Sequence, residues 1–265
     1  MWRSYNVIVK SIENASSFEW IRTGRQPFPP VYSPNSGVPL ACVIPLQFER
    51  YAKILHRLDA VEDRVDHSLS KKERAILHIP DCVSIKNLVA SRPIGSRIFW
   101  KEAAQALGVP YSQEITHAWF SRALELNPLC WPRFIAGPAD GALDFDECRE
   151  LASILVKSTS EHTCSFRLPE IPYLGTDQRL LFEGPLEDVP EFFANYQFGP
   201  EYWWPQDHQW CVCSDYDLTF TIVGGPSQLI TTLLKSQVLE CIEISPMIRV
   251  DDAAPPPRGS YEASV

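Results

Sequence analysis

Residues 202–225 read YWWPQDHQWCVCSDYDLTFTIVGG, and the periods inside this stretch decide the fold. Apolar and polar residues alternate through 218–223, the pattern of a strand with two unlike faces. The run 209–214 (QWCVCS) is a second strand, and only Asp215, Tyr216 and Asp217 stand between the two. A parallel crossover needs about a dozen residues, so the pair is expected to be antiparallel. Leu218, Phe220 and Ile222 form one side of the later strand, and this apolar set is expected to face helices. Gly224-Gly225 ends the strand, Pro226 suits the start of a helix, and Leu229, Ile230, Leu233 and Leu234 share one side of that helix. A strand over 239–244 closes the unit. Upstream, 178–183 reads as a strand and 190–196 as a short helix capped by Asp188. The resulting order, β-α-β-β-α-β, predicts a ferredoxin-like unit with one sheet under two helices.

The rest of the chain makes the fold class α+β: an N-terminal β/helix segment and a helical middle lead into the C-terminal unit. NVIVKSI alternates over 6–12 and predicts a first strand, whereas five prolines over 25–39 predict a loop. PLACVI over 39–44 predicts a short buried strand. Pro45, followed by Leu46, Phe48, Tyr51, Ala52, Leu55 and Leu58, predicts a helix with Arg50, Lys53 and Arg57 off its apolar stripe. His56 is expected there as a hydrogen-bonded boundary residue. Residues 60–92 show no regular period and read as an excursion. Ser96 is expected to cap a helix over 97–107 that Gly108 stops, and Ser112 a further helix on which His117 is structural. Asp144 and Glu147 have the spacing of a capping box ahead of Cys148, Leu151, Ala152 and Leu155. The acidic residues around that helix start suit its dipole rather than a metal. The expected domains are 1–165, 166–250 and a tail over 251–265.

The chain has 265 residues, 45% of them hydrophobic and 22% charged, an ordinary globular composition. No apolar run approaches the ~18 residues that span a bilayer, and residues 1–18 lack a signal-peptide pattern, so membrane association is not expected and the cytoplasm is. The eight cysteines include no CxxC pair, and scattered thiols in apolar settings read as small buried hydrophobes. Net charge is −9, unevenly placed: residues 180–234 carry eight carboxylates and no Lys or Arg. Such a field repels a phosphate backbone and attracts cations, which argues against nucleic acid and for a partner with a basic surface.

The segments FERYAKILHR, GPADGALD, LLFEGPL and WWPQDHQWCVCSDYDLTFTIVGG together resemble a family of uncharacterised bacterial proteins marked by WWPxDxxW, then DxD, then VGG. The resemblance runs from Val43 to Ser245. It implies a bacterial source and this full-length architecture, and it supplies no reaction, cofactor or catalytic residue.

Two functions follow from the residues themselves. The first is a cytosolic protein-binding module, an immunity-type inhibitor of a cationic partner such as a toxin domain. Trp203, Trp204 and Trp210 would be its anchors, and Glu201, Asp207, Asp215 and Asp217 its charged complement. The second is a metal-assisted hydrolase or small-ligand enzyme, with Asp207, Asp215 and Asp217 as oxygen ligands and His208 as base. No nucleophile elbow, paired histidines or GxGxxG accompanies these residues, and Gly224-Gly225 ahead of a helix is a weak phosphate signal by itself. The binding reading is therefore preferred, with no catalytic residue, metal or cofactor assigned.

Overall fold

The computed structural model describes residues 10–11, 15–28, 38–62, 83–117, 120, 131–138, 141, 143–159, 163–169, 181–190, 192 and 199–249. Within them the strands are β1 (Lys10–Ser11), β2 (Arg50–Leu55), β3 (Leu58–Ala60), β4 (Arg97–Ile98), β5 (Ile135–Ala136), β6 (Thr163–Arg167), β7 (Leu181–Pro185), β8 (Tyr202–Pro205), β9 (Cys211–Cys213), β10 (Phe220–Gly225) and β11 (Glu240–Ile244). The helices are α1 (Glu19–Gly24), α2 (Val83–Val89), α3 (Trp100–Leu107), α4 (Phe145–Ser158) and α5 (Ser227–Leu233). No described helix is long and apolar enough to cross a membrane. The expected helix on Ser112 and the tail over 251–265 fall wholly or mostly outside the described residues.

The chain forms two compact units. The larger takes Met1–Pro29, Pro39–His56 and Ala139–Ile248, and the smaller takes Pro30–Val38, Arg57–Pro138 and Arg249–Val265. The larger unit thus draws on both sides of residue 165, the expected boundary.

The larger unit is built on an eight-stranded sheet of order β1-β7-β6-β8-β9-β10-β2-β11, antiparallel at every pairing. The α+β class and the antiparallel β9–β10 pair stand. The ferredoxin-like unit does not. That topology would seat its first strand between the third and fourth, yet β7 lies between β1 and β6, and β2 occupies the place between β10 and β11. A segment from the N-terminal half therefore completes the C-terminal sheet.

That segment was expected to be helical, and it is a strand. Tyr51 to Leu55 are all buried, because β2 is paired on both edges and covered on both faces. A short run buried on every side has no alternation to separate strand from helix. Even Lys53 is 0% exposed, with Nζ 4.8 Å from the centre of the Phe220 ring. His56, just past β2, is buried, and its Nε2 lies 2.9 Å from Thr221 Oγ1. Residues 39–44 also differ from expectation: Leu40–Cys42 is a buried 3-10 turn, not a strand.

The faces of β10 are reversed relative to the reading from alternation. Val223 packs in the cluster with Leu151 and Leu155 of α4 and with Leu229, Ile230 and Leu233 of α5. Phe220 and Ile222 lie on the other face, equally buried. Segments N-terminal to β2 cover that second face: the Phe18 ring lies 5.3 Å from Tyr202 and 5.9 Å from Trp204, and Tyr202 Oη donates to Val43 O at 2.7 Å. Helix α4 starts as expected, with the Asp144 carboxylate accepting from Glu147 N at 2.7 Å and Glu147 reaching back to Asp144 N.

The smaller unit holds a three-stranded antiparallel sheet of order β4-β3-β5 with α2 and α3. The helix expected over 97–107 begins only at Trp100, because Arg97 and Ile98 pair with β3; Gly108 ends it at φ 66. Trp100, Phe120 and Trp131 pack together, and the His117 ring stacks on Trp131 at 4.2 Å.

Candidate functional site

The β8–β9 hairpin and the β9–β10 turn hold all the residues singled out in 201–217. Trp203 pairs with Val212 and Tyr202 with Cys213. Residues 206–209 therefore close one end of the hairpin, and 214–219 leave the opposite end. At ~3.3 Å per residue, the strand between holds Asp207 and Asp215 roughly 15 Å apart. Asp207 does not join Asp215 and Asp217, so the three-carboxylate metal site is corrected by topology. Among the described residues no three His, Cys, Asp or Glu side chains are grouped to hold a metal ion. Two of the three have a local task instead: Asp207 Oδ1 accepts from Gln209 N at 3.1 Å, and Asp215 Oδ1 accepts from Asp217 N at 3.0 Å. Both close turns, as short acidic side chains commonly do.

The tryptophans are core residues. Trp203, Trp204 and Trp210 are each 1% exposed. Neighbours on a strand point to opposite faces, so Trp203 joins the cluster under α4 and α5 while Trp204 meets Phe18 and Trp20. Trp210 Nε1 donates to Thr159 Oγ1 at 2.7 Å. None of the three is at the surface to anchor a partner. Glu201 is also committed, in a largely buried ion pair with Arg167, whose guanidinium lies over the Phe18 ring.

At the 206–209 end, His208 has φ 56 and stacks on Trp20 at 4.1 Å. Burial lowers its pKa, and the Asp207 charge opposes the shift. No second histidine or nucleophile joins it among the described contacts, so its role as a base gains no partner there. The other end carries an aromatic that sequence reasoning passed over. Tyr216 is 52% exposed at the tip of the β9–β10 turn, between Asp215 and Asp217. Its phenol pKa is raised, first by the Asp217 charge, then by slight burial, then by Asp215 and Glu201. Its position between Asp215 and Asp217 in so short a connection was the available signal.

The helix start after Gly224-Gly225 offers no vacant anion site. Glu49 Oε2 accepts from Ser227 N at 2.9 Å and from Ser227 Oγ at 2.7 Å, placing the chain's own carboxylate there. A Cβ on Gly224 would lie 2.4 Å from the Phe48 ring, so this glycine serves packing. The described cysteines are free thiols, and burial raises the pKa of Cys164 to about 12. Such thiols are poor nucleophiles at neutral pH.

No protein-family model, curated protein or solved structure matches this chain.

Proposed function

We propose that this chain is a protein-binding module that engages a partner with a basic surface through the acidic tip of the β9–β10 turn. The observation that carries the reading is Tyr216, an exposed ring whose phenol is held in the field of Asp217, Asp215 and Glu201. Tyrosine suits such a contact: it offers a large apolar face with a polar end at small entropic cost. A cation from the partner gains both the ring face and the carboxylates. The absence of Lys and Arg over residues 180–234 extends the field beyond the tip. The form of this function we favour is an immunity-type inhibitor that masks a cationic toxin domain.

The test uses the full chain and a Y216A/D215N/D217N variant as baits in extracts of the source cell. A basic protein retained by the wild type, lost with the variant and released at ~1 M salt, where the screening length is ~3 Å, is the expected result. Recovery of no basic protein, or equal recovery on both baits, overturns the proposal.

A further inference from the structure

The larger unit repeatedly seats a guanidinium on an aromatic ring. Arg167 is paired with Glu201, and its Cζ lies 4.4 Å from the centre of the Phe18 ring. Arg25 Cζ lies 5.8 Å from the centre of the Tyr202 ring, and Arg25 Nη1 donates to Tyr202 Oη at 2.8 Å. At the start of α4 the same arrangement stands at the surface: Arg149 donates to Asp146 Oδ1 at 3.1 Å, with Cζ 6.0 Å from the centre of the exposed Phe145 ring. Lys53 also lies over a ring, that of Phe220, but it is fully buried, away from water. The distinction is physical. An ammonium in water is a compact, strongly hydrated charge, whereas a guanidinium is planar and weakly hydrated. It can lie flat on a ring while its N–H groups reach carboxylates at the rim.

The β9–β10 tip has the ring and the carboxylates of these arrangements. Tyr216 is exposed between Asp215 and Asp217, and among the described residues no Lys or Arg lies over its ring. Its backbone is held in place: Gly141 N donates to Leu218 O at 2.9 Å, and a Cβ on Gly141 would lie 2.3 Å from the Tyr216 Cα. Asp215 Oδ1 accepts from Asp217 N at 3.0 Å, which also fixes one carboxylate beside the ring. A ring on a set backbone loses little freedom when it is covered. We infer that Tyr216, Asp215 and Asp217 form a receptor for an arginine side chain of the partner, with the guanidinium flat on the Tyr216 ring and its N–H groups toward the flanking carboxylates. The site takes arginine in preference to lysine. This rests on the binding reading and adds which basic residue is recognised.

Capped tetra-arginine and tetra-lysine peptides, equal in charge and length, test the inference when titrated into the full-length protein and followed by amide NMR. The arginine peptide should shift the amides of residues 215–217 and bind about fivefold more tightly than the lysine peptide. Tyr216→Phe keeps the ring and should keep the preference, while Tyr216→Ala should bind both peptides alike. Asp215→Asn, whose amide oxygen still accepts from Asp217 N, should weaken both peptides. Equal affinity of the wild type for the two peptides overturns the inference. So does an arginine preference that survives Tyr216→Ala, and so do shifts that miss residues 215–217. The bait experiment needs a partner from the source cell, and the peptides need none. Failed baits with the preference intact remove the natural partner, whereas successful baits without the preference remove only the selection of arginine.

Discussion

His208 is the one non-glycine residue with positive φ among those described. The left-handed backbone costs an L-residue roughly 1 kcal/mol, and the stacked Trp20 ring offsets part of that cost. His208→Ala keeps the strain and loses the ring, while His208→Gly loses the ring and relieves the strain. The alanine variant should therefore be the less stable by about 1 kcal/mol in urea unfolding. The same residue predicts a pH dependence. Its folded pKa is lowered by burial, so the unfolded chain takes up a proton first as pH falls through ~6.5. Stability should be full above that value and decline below it until the folded pKa is passed. His208→Gln should lose less stability than wild type between pH 7.5 and 5.5; equal losses would remove His208 from the account. Phe220, 1% exposed with Lys53 over its ring, should cost about 3–5 kcal/mol as alanine. Its side of the strand was misread because both faces of β10 are buried, and alternation chooses a face only when one is wet.

Elements here are fixed mostly at their ends. The Asp144–Glu147 box was legible because capping is local, three residues apart on one chain. Asp144→Ala should lower stability by about 1 kcal/mol, read as a shift of the urea midpoint with an unchanged slope. The start of α5 has a different solution, since Pro226 offers no capping side chain and Glu49 supplies the acceptor from far away in sequence. Hydrogen bonds from Ser227 lower the Glu49 pKa, and bonds from Arg50 lower that of Glu243. A carboxylate with a lowered folded pKa contributes stability above its unfolded value and loses it as pH falls through the folded one. Glu49→Gln should flatten the acid side of the stability profile below pH ~4.5, a window separate from that of His208. The Glu49 contact could not be read from sequence, because nothing near residue 49 signals a helix start at residue 227.

Across the whole molecule, sequence determined what depends on neighbours in the chain. The α+β class, the α4 cap and the antiparallel β9–β10 pair all follow from spacings of a few residues. Residue counts also placed a Lys- and Arg-free acidic stretch over 180–234 without any structure. Tertiary structure decided what depends on partners far apart. It seated β2 between β10 and β11, turning a segment with helical spacing into a doubly paired strand. It buried the three tryptophans that composition offered as anchors, and it left Tyr216 exposed. It also parted Asp207 from Asp215 by running β9 between them, so proximity in sequence became distance in space. The physical reason is one of range. Turns and caps are settled by a few bonds within one segment, whereas a sheet edge or a buried face belongs to whichever distant segment covers it with the least exposed apolar surface and the fewest unpaired backbone groups.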